Sequence, residues 1–428
     1  MTIALLFGTL AICLLIGVPI AISLGVAALV AIYFGSTLPL DIIVQKAFTS
    51  LDSFPMLAIP FFMLAGILMG KGGVSKRLLN LASAIAGWMT GGLSIVTIIA
   101  CMFFAAISGS GPATVAAIGT FMIPAMIAKK YDPGFAAAVP AAAGSIGVII
   151  PPSIPFVIYG VIGNVSVGDM FIAGIIPGIL IGLSLMITAY LISKKRNYKP
   201  DDETQKFNFK DVLVALNDAK WALLIPVIIL GGIYGGIFTP TEAAVVAVVY
   251  AIIIGLFVYK ELDLKGLYDS FMETIIINAT TMIIIGLSVS FAYFMTIEQI
   301  PNQIAQFLTE LSSNPIVILI LINLLLLVVG MFIDTISAIV ILTPILLPVV
   351  MAVGVDPVHF GVVLVANLAI GFVTPPLGVN LFVASSVGKI KFEKITIAVI
   401  PFIITMIICL ALITLIPQMS TWLPSLLK

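Results

Sequence analysis

Ser108, Gly109, Ser110, Gly111 and Pro112 stand in a row between two apolar runs. The chemistry open to such a row is ligation through oxygen rather than nucleophilic or acid–base catalysis. Hydroxyls and unwound carbonyls suit a hard cation such as Na⁺, which takes several oxygens at short range. The free N–H groups at a helix N-terminus, with the positive end of the helix dipole behind them, suit an anion. Three further stretches, 144–155, 331–336 and 371–380, also interrupt apolar runs with glycine, proline and hydroxyl residues. One cation site is expected from Ser108, Gly111, Gly147, Ile150 and Pro152, mostly through backbone oxygens, and a second from Gly330, Gly371, Thr374 and Pro376. Ser110, Ser145, Ser153, Asp334, Thr335, Ser337 and Asn380 are the candidates for contact with an anionic solute.

Each candidate has a plainer alternative. Glycine and proline also permit close helix packing. Asp334 can simply N-cap a helix that starts at Thr335, as Asp132 and Asp356 can ahead of their prolines. Glu242 after Thr239-Pro240 matches a helix dipole, and His359 reads as a boundary residue rather than a proton relay. The one histidine leaves no cluster for zinc. Cys13, Cys101 and Cys409 lie in apolar runs and read as packing residues. The only arginines, Arg77 and Arg196, lie in polar segments. A carboxylate would therefore meet helix N-termini and hydroxyls, not an arginine clamp.

The elements that must hold these stretches occur twice. Asp132-Pro133 and Asp356-Pro357 are the only Asp-Pro pairs, and Pro151-Pro152 and Pro375-Pro376 the only Pro-Pro pairs. One step of 224 residues (356 − 132) relates both couples and carries Pro124 onto Pro348, Gly147 onto Gly371 and Pro177 onto Pro401. Such agreement in one register points to an internal duplication. The chain of 428 residues is 61% hydrophobic and 9% charged, with a mean hydropathy of +1.29. That leaves too little polar surface for a soluble domain. Apolar runs of spanning length, without strand alternation, predict an all-α polytopic membrane protein rather than a barrel. Zero net charge gives no sign of nucleic acid as a partner; the bilayer lipid is the expected surroundings. The first apolar run has no basic n-region or clear cleavage site and reads as a mature segment.

Taken in order, residues 3–34 are one long span or two short ones, 38–49 an interfacial helix, 51–70 a span, and a second mixed helix runs to Trp88. Residues 93–107 and 113–128 are arms of about 15 residues around the tip 108–112, about 22 Å each. They are short for a ~30 Å hydrocarbon core and predict a re-entrant hairpin whose tip sits inside protein or beside water. The apolar run 134–162 is a broken helix, because its prolines remove donors and kink it, and 170–192 spans. Residues 193–220 are the one long polar segment and the expected cytoplasmic linker. It includes Lys199, Asp201, Asp202, Glu203, Lys206 and Lys210. The second half repeats the pattern: spans at 221–238 and 242–259, an interfacial piece at 263–271, a span at 273–296 and a mixed helix at 302–312. A hairpin at 315–351, a broken helix at 357–387 and a span at 395–416 close it. The repeats are thus 1–192 and 221–428.

The charges test their orientation. The base of the first hairpin is basic (Lys76, Arg77, Lys129, Lys130), whereas 312–314 and 352–356 at the base of the second carry no Lys or Arg. After the broken helices the asymmetry reverses: 163–169 have no positive charge, and Lys389, Lys391 and Lys394 follow the second. One half is therefore expected upside down relative to the other, with both termini outside. Inverted repeats with broken helices are the signature of secondary transporters that bind near the midplane.

The paired hairpins, Ser-Gly-Ser-Gly-Pro (108–112), Gly-x-Ile-Ile-Pro-Pro-Ser (147–153) and Gly-Phe-Val-Thr-Pro-Pro-Leu-Gly-x-Asn (371–380) resemble the large membrane subunit of tripartite ATP-independent periplasmic (TRAP) transporters. The resemblance covers essentially the whole chain and is closest to the sialic-acid branch. It implies an elevator fold akin to the ion transporter superfamily, Na⁺-coupled uptake of an organic acid, first of all sialic acid, and a place in the bacterial cytoplasmic membrane. It also implies two partners, a small membrane subunit and a periplasmic substrate-binding protein. With nothing ahead of Met1, the small subunit is expected as a separate chain. In the family the cations sit at hairpin tips and broken helices, which match the two clusters above. Three alternatives stay open: another carboxylate such as a C4-dicarboxylate, proton coupling through Asp334, and a channel. An intramembrane protease fits poorly, because position 108 is serine where Gly-x-Ser-Gly needs glycine and Met-Phe-Ile precedes Asp334 where Gly-x-Gly-Asp is needed.

Overall fold

A computed structural model describes residues 2–36, 38–198, 207–311 and 314–427. The described residues form twenty α-helices and no strand. The first apolar run is two helices, α1 (Thr2–Leu15) and α2 (Ile20–Gly35). They part at Gly17, whose φ of +82° favours glycine, and at Pro19, which cannot continue a helix. They lie antiparallel, Thr2 Oγ1 donating to Gly35 O at 3.3 Å. Then come α3 (Asp41–Leu51), a 3₁₀ turn at Phe54–Leu57, α4 (Ala58–Lys71) and α5 (Val74–Ala86). The hairpin α6 (Gly92–Ser108) and α7 (Gly111–Ala128) follows. Next are α8 (Pro133–Gly144), a 3₁₀ turn at Ser145–Val148, α9 (Ile154–Gly163) and the long α10 (Val167–Lys195).

The second half runs through α11 (Phe209–Tyr234), α12 (Pro240–Ile253) with a π turn at Ile254–Val258, α13 (Leu264–Ile297) and α14 (Ile300–Leu311). The second hairpin is α15 (Pro315–Phe332) and α16 (Thr335–Ala352). The second broken helix is α17 (Pro357–Gly371) and α18 (Val379–Gly388), followed by α19 (Phe392–Leu415) and α20 (Gln418–Leu427). The 224-residue step carries α7 onto α16 end to end and the start of α8 onto that of α17.

The structure differs from the sequence expectation in four places. The hairpin arms are 17 and 18 residues in the first copy and 18 and 18 in the second. The tips shrink to Gly109–Ser110 and Ile333–Asp334, because Gly111-Pro112 and Thr335-Ile336 are already first turns of helices, and proline at the start of a helix forfeits no bond. The polar segment is partly helical: Asn208 caps α11, accepting from Lys210 N at 3.1 Å, so Lys210, Asp211, Asp218 and Lys220 stand on a helix. The linker residues Lys199, Asp201, Asp202, Glu203 and Lys206, and 312–313 of the second hairpin base, lie outside the described residues. Residues 263–271 and 273–296 are one helix, since a change from polar to apolar surroundings is not a helix breaker. Lastly, α20 was not anticipated.

Burial places the broken helices at the centre. Gly134–Gly144 of α8 and His359–Gly371 of α17 are buried throughout. Around them, α6, α10 and α19 pack on α8, while α15, α16 and α10 pack on α17. Leucines and isoleucines of α11, α13, α15 and α19 face outward, the normal state of helices solvated by lipid. Among the described residues, nine helices are long and apolar enough to cross a membrane by length and composition.

Candidate functional site

The first tip is folded onto the first break. At the end of α6, Gly109 turns the chain with φ +60°, and a Cβ there would stand 2.8 Å from Pro152 O. Ser110 then caps α7, accepting from Ala113 N at 3.4 Å. The buried Ser108 hydroxyl meets Thr114 Oγ1 at 2.9 Å, and Thr114 Oγ1 donates to Ser110 O at 2.8 Å. Gly147 of the break lies against the same oxygens: a Cβ on it would be 2.6 Å from Ser110 O and 2.8 Å from Thr114 Oγ1. Two hydroxyls and a carbonyl therefore share one small space, closed by a glycine that has no side chain to fill it. Thr114 was missed in the sequence, where it reads as one more residue of an apolar arm. Its position four residues beyond the capping Ser110 is the signal by which it could be found.

The remaining first-cluster residues divide. Gly111 joins the site, since a Cβ there would be 3.2 Å from Gly144 O and from the ring of Phe372. Ile150 sends its side chain the other way, onto α10, where a Cβ on Gly178 would meet Ile150 Cγ1 at 2.5 Å; only its backbone can serve. Ser153 is buried and fully engaged in ending one segment and starting the next. It donates to Val148 O at 2.6 Å and accepts from Phe156 N at 3.3 Å.

Asn380 of α18 binds the two breaks together. Its Nδ2 donates to Ala141 O at 3.0 Å and to Ser145 Oγ at 3.3 Å, both across the halves of the chain. Its Oδ1 is buried with no hydrogen-bond partner. Phe372, also unforeseen, lays its ring against the first tip at Gly111.

The second tip meets its own break. Gly330 and Gly371 touch backbone to backbone: a Cβ on Gly371 would be 2.3 Å from Gly330 O. Leu377 N donates to Met331 O at 3.3 Å, and Thr374 Oγ1 bonds back to Ile370 O at 2.7 Å. Pro376 is exposed, unlike the buried Pro152. Asp334 caps α16, its Oδ1 accepting from Ile336 N at 2.9 Å and Ser337 N at 3.3 Å while its Oδ2 takes the Ser337 hydroxyl. Ser337 and Thr335 are buried behind it.

Among the described residues no three His, Cys, Asp or Glu come together. A cation here would be held by carbonyls and hydroxyls, which is the donor set of a hard monovalent ion rather than a transition metal. The Ser108, Ser110 and Thr114 oxygens fit that set. So do Gly330 O and the Thr374 hydroxyl, with fewer oxygens and more exposure. For an anion, α7, α9, α16 and α18 all start at the tips and breaks, with Ser110, Ser153 and Asp334 already accepting from first-turn N–H groups of α7, α9 and α16. A cavity of about 830 Å³ lies one helix away, between the end of α9 and the helices α10, α11 and α12, lined by Asn164, Tyr234 and Thr239 among others.

Residues 7–419 match the profile of a family described as the tripartite ATP-independent periplasmic transporter, DctM component. The chain is 54% identical to the isethionate TRAP transporter permease protein DctMQ of Oleidesulfovibrio alaskensis, over 96% of this chain and 65% of that one. It is 42% identical to the C4-dicarboxylate TRAP transporter large permease protein DctM of Vibrio cholerae, over 100% of this chain and 98% of that one. It is 41% identical to the sialic acid TRAP transporter large permease protein SiaM of the same organism, over 98% of each. Among solved structures it is similar to the YdaH transporter of Alcanivorax borkumensis, with a TM-score of 0.67 over 90% of each chain. At 13% identity that likeness speaks for the fold alone.

Proposed function

The chain belongs to the DctM family, the large permease component of tripartite ATP-independent periplasmic transporters, and from that premise we propose that it carries out Na⁺-coupled uptake of an organic acid. It is a multi-pass protein of the bacterial cytoplasmic membrane and a transporter rather than an enzyme. The observation that carries the reading is the oxygen cluster of Ser108, Ser110 and Thr114 against Gly147, tied through Asn380 to the break of the other half. Na⁺ at such a cluster neutralises the converging oxygens and holds the tip in place. An anionic solute then meets the helix N-termini beside it, and Asn380 Oδ1 is free to accept from a solute hydroxyl or to ligate the cation. Both hairpins and both broken helices move as one body, in an elevator motion against the other long helices. The doubled helix bounds and the reversed charge asymmetry support halves of opposite orientation.

The drive is adequate. A tenfold Na⁺ gradient supplies about 1.4 kcal/mol per ion, and 100 mV adds about 2.3 kcal/mol per charge, so two ions supply roughly 7 kcal/mol. The tripartite family description supports two partners, a small membrane subunit and a periplasmic binding protein. For the solute, the motifs favour sialic acid, but the 54% identity to a permease named for isethionate favours a small sulfonate, and we put isethionate first. The test is uptake into proteoliposomes holding this chain with its two partners, using labelled isethionate, succinate and N-acetylneuraminate. Accumulation that requires an inward Na⁺ gradient is the expected result, and the solute taken up fixes the substrate. Accumulation driven by a pH gradient in the absence of Na⁺ would sink both cation clusters and turn attention to Asp334.

A further inference from the structure

One end of the bundle collects basic residues that neither cluster uses. Lys129 and Lys130 precede α8, Lys194, Lys195 and Arg196 end α10, and Lys389, Lys391 and Lys394 flank the start of α19. The contacts of α8 with α10 and α19 bring these termini together. Between them lies a cavity of about 700 Å³ lined by Asp132, Phe135, Lys195, Arg196, Lys394 and Ile397, among others. Among the described residues its lining carries three basic groups against one acidic. Among the described residues Asp132 is its one acidic residue and is already engaged, capping α8 through Phe135 N at 2.9 Å and standing 3.5 Å from Arg196 Nη1. Among the described residues Lys195 and Lys394 have no ion-pair partner. Arg196 is held in place rather than loose: its guanidinium lies 5.6 Å from the Phe135 ring centre and donates to Tyr198 Oη at 3.4 Å.

Below the cavity the wall turns apolar. α10 and α19 are joined by the Thr188 and Thr405 hydroxyls, 2.7 Å apart. Along the seam Ile187, Leu191, Ile397 and Ile404 are each more than half exposed. A recess holding two lysines without an ion-pair partner and an arginine, at the rim of a lipid-facing apolar seam, matches an amphiphile with an anionic head and hydrocarbon tails. The positive-inside rule places this end in the cytoplasm, beside the leaflet where anionic lipid gathers at basic helix ends. We infer that the recess binds an anionic phospholipid, phosphatidylglycerol, with its phosphate between Lys195, Arg196 and Lys394 and its acyl chains along the α10–α19 seam. The site lies on long helices that pack directly on the broken helix α8, so its occupant sits beside the body that carries the solute.

The test is native mass spectrometry of the full chain in detergent, titrated with phosphatidylglycerol or with phosphatidylcholine of the same acyl chains. Phosphatidylglycerol is expected to be retained in preference. Lys195→Gln and Lys394→Gln should each weaken its retention about fivefold, the roughly 1 kcal/mol that one basic side chain contributes at an anionic surface. Lys389→Gln, outside the recess, should leave it unchanged. Melting of the unaltered chain gives a second readout, with a higher Tm expected in phosphatidylglycerol than in phosphatidylcholine. Equal retention of the two lipids would overturn the inference, as would unchanged retention in both lysine variants. Displacement of the lipid by excess glycerol 3-phosphate would mark a small-anion site and overturn it too.

Discussion

Gly147→Ala is the sharpest perturbation of the first cluster. The added Cβ would stand 2.6 Å from Ser110 O, 2.9 Å from Ser110 C and 2.8 Å from Thr114 Oγ1. Two of those atoms are backbone of the capping residue of α7, so no side-chain rotation relieves the contact. Restoring an ordinary separation requires the tip and the break to part by roughly 0.7 Å, and overpacking of this kind costs about 1–3 kcal/mol. The displaced oxygens are those proposed to ligate Na⁺, and a shift of that size exceeds the ~0.2 Å tolerance of a ligand sphere. Na⁺ dependence of uptake should therefore shift at least tenfold toward higher concentration, the equivalent of about 1.4 kcal/mol. Gly119→Ala on the same arm is the control, because its Cβ would meet nothing nearer than the Ile123 side chain at 3.4 Å. A lowered Tm with an unchanged half-saturating Na⁺ concentration would refute the placement of the cation at Ser108, Ser110 and Thr114, since the site would have been deformed without consequence.

At the second tip, Gly371→Ala should lower the Tm by the equivalent of about 1–3 kcal/mol, whereas Gly330→Ala should be mild. The two glycines touch each other, yet the first Cβ would meet backbone at 2.3 Å and the second at 3.4 Å; equal effects in a melting assay would refute the backbone contact. Asp334→Ala should cost about 1 kcal/mol through loss of the α16 cap, and Asp334→Asn only a few tenths. Loss of uptake in a fully stable Asp334→Asn protein would show that the carboxylate acts on the solute or ion rather than on the helix. Asn380→Ala removes the bonds to Ala141 O and Ser145 Oγ, about 1–3 kcal/mol for buried partners left open. Its uptake rate should fall more than that of Ser153→Ala, which disturbs only the cap of α9 and the turn before it; the reverse order in a transport assay would count against Asn380 as the tie between halves.

Much of this architecture is legible in the sequence because helix breakers are local. Gly109, Pro152 and Pro376 announce where a helix must stop, and composition announces lipid. The limits of the breaks are less legible. Pro112 looks like part of the tip but stands in the first turn of α7, since proline is as much at home at a helix start as in a loop. Residues 263–271 look interfacial because they are charged, yet backbone hydrogen bonding continues through a change of solvent. The partners of a site are the least legible. Nothing local ties Asn380 to Ser145 or Phe372 to Gly111, because those contacts join residues more than 200 positions apart. Ile150 shows the same limit from the other side: its spacing fits the cluster, but its side chain packs on Gly178.

The two halves also differ in how they meet the bilayer. Where the first half has α3, a turn and α4, the 224-residue step finds only the uninterrupted α13. Asp52, Ser53 and Pro55 break the first; Ile276, Ile277 and Ala279 stand in their places. Residues 274–297 of α13 carry no charge, an apolar rod of about 36 Å at 1.5 Å per residue. It is longer than the ~30 Å of hydrocarbon, so it must tilt or thicken the bilayer around it, whereas α3 and α4 can absorb the same excess at their bend. Hydrophobic mismatch therefore falls unequally on the molecule, and a change in membrane thickness would be felt first as a change in the lean of α13.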